Sequence, residues 1–313
     1  MVNYVMFDVT DYCNFRCKHC YKNQPDECLD LDLMHIKKFI KMLQSRGINP
    51  NIVLSGGEPF LHNQLYDILD YVCDGRSVRV NTNGILLDEN NINKLKKYKN
   101  LKIQVSLDGY DKESFFEVRN NDGFDCILKN TVMAFKTGLD IYFRATITNK
   151  TINSYEKFID LSKKVGVPLI MRAFYNTGEV EQQELKVEFA QLCDWQENII
   201  KKNQIKYTGG RNLLAENSCP LIRENVRYST LTVDNHGRVY PCQLLRTSKF
   251  YMGNIITDSF ENIFADYDKR RDILKKIIDS DSCNKCGFRK NIGDGTCVPS
   301  CFVGNRLCVK EKI

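Results

Sequence analysis

Six times in the first two thirds of the chain, a short apolar run gives way to a stretch whose apolar residues recur at helical spacing. No other feature constrains the fold as much. NYVMFDVT (3–10) precedes a helix on which Leu33, Ile36, Ile40 and Leu43 share a face, with Asp30 and Asp32 near its start and Gly47 at its end. NIVLSGG (51–57) precedes Leu65, Ile68, Leu69 and Val72, and SVRVNTNG (77–84) precedes a helix around Ile92 and Leu95. The run KLKKYK (94–99) reads as the solvated end of that helix. LKIQVSLDG (101–109) leads to a helix around Ile127, Leu128 and Phe135, and IYFRATIT (141–148) to one around Tyr155, Phe158 and Ile159. The sixth run, VPLIMRAF (167–174), precedes a helix over roughly 180–203. Parallel strands need crossover connections, which the helices supply. Six units rather than eight predict an α/β fold, a partial (β/α)6 TIM-like barrel open on one side, over residues 1–205.

Beyond about residue 205 the helical pattern fades, and seven of the 14 cysteines fall between 219 and 308. A small Cys-rich C-terminal domain organised around metal is expected over 206–313. Hydrophobic residues, 42% of the chain, suffice for a real core, and no long uncharged apolar run offers a membrane span. MVNYVMFDVT lacks the basic start and apolar stretch of a secretion signal. The expected compartment is the cytoplasm, where disulfides are rare and so many thiols point to metal. The net charge of +6 reads as a Lys-rich surface, and no aromatic-rich basic motif argues for a nucleic-acid partner.

The chemistry starts at CNFRCKHC (13–20), directly after the first strand. Cys13, Cys17 and Cys20 are one thiol short of a closed tetrahedral metal site. Bound to a cubic iron–sulfur cluster they would leave one iron without a protein ligand, the open position a catalytic metal needs. Zinc with a further ligand such as His19 is the other reading of this stretch. In parallel α/β barrels the active site lies at the C-terminal ends of the strands. There the sequence sets Gly56, Gly57, Glu58 and Pro59 after the second strand and Asn81, Asn83 and Gly84 after the third. Ser106, Asp108 and Gly109 follow the fourth, and Arg144 and Arg172 lie late in the fifth and sixth. Any one of these is ordinary as a turn or a solvated charge; six polar groups on one rim are not.

The Cys-x3-Cys-x2-Cys loop after strand one, with GGEP after strand two, resembles the radical S-adenosylmethionine enzymes. The resemblance implies that Cys13, Cys17 and Cys20 bind a catalytic four-iron–four-sulfur cluster whose open iron is chelated by S-adenosylmethionine. It implies that His19 lies beside the adenine and that Gly56–Pro59 receives the methionine amino group, with Glu58 as acceptor. Ser106, Arg144, Asn83 and Arg119 would hold carboxylate and ribose, and Asp108 and Arg172 are grouped with these cofactor contacts. The implied chemistry is formation of a 5′-deoxyadenosyl radical that abstracts hydrogen from substrate, with a reducing electron donor such as flavodoxin or ferredoxin as partner.

The tail carries GRVYPC (237–242), MGNI (252–255) and C-x2-C-x10-C-x3-C-x6-C. Alone this reads as a zinc ribbon; behind such a barrel it resembles the SPASM extension with two auxiliary iron–sulfur clusters. By that resemblance Cys283, Cys286, Cys297 and Cys308 close the outer cluster, and Cys219, Cys242 and Cys301 hold the inner one. The chain departs from the pattern in a longer Cys286–Cys297 spacing, a long stretch between Cys219 and Gly237, and no cysteine just upstream of Cys219. Cys193, Cys28, Cys73 and Cys126 read as packing residues, with one exposed thiol a possible hydrogen donor. The family mostly modifies peptides, so a ribosomally made peptide undergoing cross-linking or another modification is the expected substrate. Against that, cluster residues begin at 13 and leave no room for a leader-binding domain. A small-molecule epimerase or dehydrogenase acting on a sugar or amino acid is the alternative. Sulfatase maturation is demoted because Gln243 stands where that group has an Asp base after the cysteine. A zinc-binding scaffold or an RNA-binding module is the remaining reading.

Overall fold

The computed structural model describes residues 2–22, 28–174, 184–187, 191, 194, 195, 198 and 230–266. The chain divides into two compact units, one of residues 1–12, 24–78 and 217–313, the other of 13–23 and 79–216.

In the first unit, β1 (Tyr4–Thr10) pairs in parallel with β2 (Asn51–Gly56) on one side and β7 (Thr230–Val233) on the other. From β7 the sheet turns antiparallel through β8 (Arg238–Tyr240) and β9 (Gly253–Asn254), giving the order β2-β1-β7-β8-β9. Helix α1 (Leu33–Gln44) starts at Asp32, whose side chain accepts from Met34 N at 2.6 Å, the usual satisfaction of an unpaired first-turn donor. Its buried stripe is Ile36, Phe39, Ile40 and Leu43, spaced by three and four residues. Phe39 meets Phe7 of β1 edge to face at 6.3 Å, and Leu33 is only half-buried. Helix α2 (Leu65–Val72) adds Leu65, Ile68, Leu69 and Val72, and the short helix α7 (Phe260–Phe264) adds Ile263.

In the second unit the order is β3 (Val78–Thr82), β4 (Leu101–Ser106), β5 (Asp140–Ile147) and β6 (Leu169–Ala173), with β4–β5 and β5–β6 parallel. Helices α3 (Glu89–Leu95), α5 (Phe124–Lys136) and α6 (Tyr155–Val165) connect them. Alternate strand residues Val80, Val105, Phe143 and Met171 are fully buried, as are Ile127 and Phe158 on the helices. Among the described residues β6 ends the strand order in this unit and β9 in the other, so the parallel α/β sheet they form is open, as six units predict.

Three details differ from the sequence reading. Between β4 and α5 stands a further helix, α4 (Lys112–Arg119), closed at its start by an Asp111–Ser114 capping box and at its end by Asn120 at φ 49°. On α5 the buried face is Phe124, Ile127, Asn130, Thr131 and Ala134, so Phe135 is exposed and Leu128 half-buried. Cys126 is exposed rather than packed, whereas Cys28 and Cys73 are half-buried. The helix expected over 180–203 falls mostly outside the described residues. Among those described, no helix is long and apolar enough to cross a membrane.

Candidate active site

The cysteine loop belongs to the second unit and is pinned there by short-range bonds. Phe15 is buried edge-on to Phe115 of α4 at 6.4 Å, and Lys18 N donates to Val118 O at 3.1 Å. Asn83 Nδ2 donates to Asn14 Oδ1 at 2.7 Å, and Arg16 braces the loop by donating to the carbonyls of Cys13 and Phe15. Each of the three sulfurs receives an N–H at 3.4 Å: Cys13 from Phe15 N, Cys20 from Lys22 N and Cys17 from Arg119 Nη1. An N–H aimed at a sulfur stabilises its thiolate, the form that ligates metal, although at Cys20 burial outweighs the Lys22 N–H and holds the thiol above its usual value. In a cubic cluster each of these thiolates would take a different iron. Among the described residues no three His, Cys, Asp or Glu side chains are grouped so as to hold a single metal ion.

Beneath the loop lies a buried charge network. Asp108, 1% exposed, accepts from Thr146 N at 2.6 Å through Oδ1, and its Oδ2 is ion-paired with Arg119 Nε at 2.6 Å and lies 3.3 Å from His19 Nε2. Burial alone would raise the Asp108 carboxyl, yet Arg119, His19 and the Thr146 N–H outweigh it and hold it below the usual carboxylate range. Burial likewise opposes charge on Arg119, but Asp108 and the Cys17 sulfur carry its guanidinium above its ordinary value. His19 is held below the normal imidazole range by burial, against the pull of Asp108, so it is neutral at pH 7. Its ring lies edge-on to Phe174 at 6.4 Å. Gly109 permits this arrangement because a Cβ there would lie 2.1 Å from Phe115 N, inside the first turn of α4.

Alongside, Arg144 of β5 stands opposite Ser106 of β4, and Arg172 of β6 opposite Thr146. Burial depresses the Arg144 guanidinium; Arg79 and Arg172 depress it further, and Asp108 only partly compensates. This is a cationic surface short of anions, suited to a carboxylate.

The GGEP turn belongs to the first unit. Gly57 N donates to Thr10 O at 2.7 Å and Glu58 N to Tyr12 O at 2.8 Å, so the turn is stitched to the end of β1. A Cβ on Gly56, at φ 119°, would lie 2.5 Å from Thr10 O, and one on Gly57 2.2 Å from Tyr12 O. Glu58 is fully buried and its carboxylate accepts from Phe60 N at 3.1 Å, with Pro59 opening the short 3-10 turn Pro59–Leu61. Of the tail cysteines only Cys242 is described, half-buried just after β8. Cys219, Cys283, Cys286, Cys297, Cys301 and Cys308 lie outside the described residues, as does Cys193.

Sequence reasoning missed Asn14, Phe15, Arg16, Phe174 and Arg79. The first three stand inside the motif itself, in Cys-Asn-Phe-Arg-Cys, and only their contacts disclose what they do.

A family model described as the radical SAM superfamily matches residues 7–162, and one described as an iron–sulfur cluster-binding domain, SPASM, matches 224–287. The antilisterial bacteriocin subtilosin biosynthesis protein AlbA of Bacillus subtilis is 29% identical over 278 residues, 82% of this chain. The chain spans only 58% of that relative's length. A solved structure of native anSMEcpe with bound AdoMet superposes with a TM-score of 0.75 at 17% identity, covering 97% of this chain and 95% of that one. SuiB of Streptococcus suis bound to its precursor peptide SuiA superposes at 0.74 and 17% identity, covering all of this chain and 74% of that one. At such identities these two structures establish a shared fold.

Proposed function

The chain belongs to the radical S-adenosylmethionine superfamily and carries a SPASM iron–sulfur domain; from that premise we propose that it modifies a ribosomally made peptide by hydrogen abstraction, forming a cross-link or a related change. When bound, a reduced four-iron–four-sulfur cluster with S-adenosylmethionine supplies a 5′-deoxyadenosyl radical able to take hydrogen from an unactivated carbon. The peptide reading is supported by the bacteriocin biosynthesis named for AlbA and by the precursor peptide bound to SuiB.

The chain's own residues then have these parts. Cys13, Cys17 and Cys20 would hold the catalytic cluster, their sulfurs already supplied with N–H donors. Arg144 and Ser106, neighbours across β4 and β5, would take the methionine carboxylate and ribose, with Arg172 and Asn83 adding donors. A planar guanidinium fork suits a carboxylate, and a site drained of water strengthens that bond. Within the first unit, the Gly56–Pro59 turn and Glu58 would receive the amino group. His19, neutral and edge-on to Phe174, would flank the adenine. Asp108 and Arg119 act one step back, fixing His19 and Cys17.

Residues 1–205 would form the radical-generating part and 206–313 the auxiliary-cluster part; each family match falls within one of them. In the tail Cys219, Cys242 and Cys301 would hold the inner cluster, and Cys283, Cys286, Cys297 and Cys308 the outer one. A low-potential donor of the flavodoxin or ferredoxin type would deliver electrons in the cytoplasm.

The observation that carries this reading is the loop directly after β1, where three thiols in Cys-x3-Cys-x2-Cys spacing each receive a donor. The test is anaerobic reconstitution followed by reduction in the presence of S-adenosylmethionine. We expect 5′-deoxyadenosine from the wild type and none from Cys17→Ala. Formation of the nucleoside by that variant at the wild-type rate refutes the assignment.

A further inference from the structure

Arg119 is the last residue of α4, 6% exposed, and its guanidinium is held at two ends. Nε lies 2.6 Å from Asp108 Oδ2, and Nη1 donates to Cys17 Sγ at 3.4 Å. The carboxylate is itself fixed from its other oxygen by Thr146 N at 2.6 Å, and the Phe15 ring lies under the cation at 5.9 Å. Asn120, at φ 49°, ends the helix immediately after it. A side chain so anchored is committed to the cysteine loop rather than free to swing onto a small-molecule carboxylate, the role its sequence position implied.

We propose that Arg119 is a positioning residue that sets the reduction potential of the cluster held by Cys13, Cys17 and Cys20, by donating a charged hydrogen bond to the Cys17 sulfur. The proposal rests on the reading of those cysteines as cluster ligands. Reduction adds one electron, from a low-potential one-electron donor, to a cluster already surrounded by thiolates; no bond forms or breaks, and the sulfurs become more negative. A guanidinium bonded to one of them stabilises the reduced state more than the oxidised one, and hydrogen bonds to sulfur are among the terms that set cluster potentials. Asp108 moderates the effect by placing a negative charge behind the cation and, through its grip on Nε, directs Nη1 at the sulfur. Lysine could preserve the charge but not the fork, since one ammonium cannot reach both partners in this geometry.

The test is a controlled-potential titration of the full anaerobically reconstituted chain, followed by electron paramagnetic resonance. Auxiliary clusters are told apart because the signal of interest is the one perturbed by added S-adenosylmethionine. Iron and sulfide content are measured alongside. With cluster content at the wild-type level, Arg119→Met is expected to lower the reduction equilibrium about tenfold, about 59 mV for a one-electron couple. Arg119→Lys is expected to recover part of that loss. Asp108→Asn should move the midpoint the other way, because the cation then faces the sulfur without its counter-charge. It carries the test should Arg119→Met fail to hold iron. An unchanged midpoint in Arg119→Met at full cluster content, or an unchanged or lowered one in Asp108→Asn, overturns the proposal. If the wild type itself gives no signal that S-adenosylmethionine perturbs, the reading of Cys13, Cys17 and Cys20 fails first, and the two failures are distinct.

Discussion

Gly57→Ala should impair catalysis through the main chain rather than through lost chemistry. A Cβ at this position would lie 2.2 Å from Tyr12 O, 2.8 Å from Tyr12 C and 2.9 Å from Asp11 O. Ordinary contact begins at 3.4 Å, so the shortfall against the carbonyl oxygen is about 1.2 Å, and backbone on both sides must absorb it. The displaced carbonyl is the acceptor for Glu58 N at 2.8 Å, and the next residue along the chain is Cys13. A misplacement of about 1 Å at a positioning element costs on the order of 10²-fold in rate. We therefore expect Gly57→Ala to slow 5′-deoxyadenosine formation by about that factor, with weaker S-adenosylmethionine binding measured by equilibrium dialysis. Gly47→Ala is the control. Its φ of 71° strains an alanine, but nothing lies within 4 Å of the new Cβ. It should cost about 1 kcal/mol of stability and leave the rate within about twofold. Wild-type rate and affinity in Gly57→Ala would refute the claim that this junction is too close-packed to yield.

Asp8, fully buried in β1, pairs with Arg246 at 2.5 Å, so Asp8→Asn should cost about 3 kcal/mol by removing the carboxylate charge that faces this cation. Thermal unfolding should show the Asp8→Leu/Arg246→Met double variant less destabilised than Asp8→Asn, and additive losses would contradict this. Arg144→Met removes a cation with no ion pair among the described residues, so the ligand-free chain should gain about 1 kcal/mol while S-adenosylmethionine affinity falls at least tenfold. A loss of stability there would mean that Arg144 has a structural partner. Cys283→Ala should lower iron per chain but leave 5′-deoxyadenosine formation detectable; loss of all iron would make the tail essential to the fold.

The strands were readable because short runs rich in β-branched and apolar residues each precede a stretch of helical spacing, and the loop after the first was readable because thiols in fixed spacing have few uses. Helix α4 was not. KESFFEVR is eight residues long with a mixed charge pattern, flanked by the turn-forming pairs DG before it and NNDG after it. Missing that helix concealed the setting of Arg119, whose bond to Cys17 spans 102 positions. The strand TLTV (230–233) was equally hidden, since four residues carry too little periodicity to be told from a loop. Its pairing with β1 begins at Tyr4↔Thr230, a separation no local pattern reports. His19 was legible as a special residue but not as a partner of Asp108, because that contact is made by the fold.

The second unit's strands explain why a barrel of this kind has to stay polar on one face. Val80, Val105, Phe143 and Met171 alternate with Arg79, Gln104, Tyr142, Arg144 and Arg172, and the first set is fully buried. In a closed eight-stranded barrel the inner positions are filled by branched apolar side chains, which leaves a packed core and no room for a ligand. Here Tyr142 Oη donates to Gln104 Oε1 at 3.2 Å, and Nε of Arg79 is buried with no hydrogen-bond partner among the described residues. Three guanidiniums grouped with Asp108, a carboxylate already engaged by Arg119, Thr146 and His19, oppose folding by mutual repulsion and desolvation. An anionic ligand would supply the missing charge, so on the proposed reading the stability lost here would reappear as affinity for the carboxylate of S-adenosylmethionine. The alternation that builds the core on one side would then leave the other side to that zwitterionic cofactor.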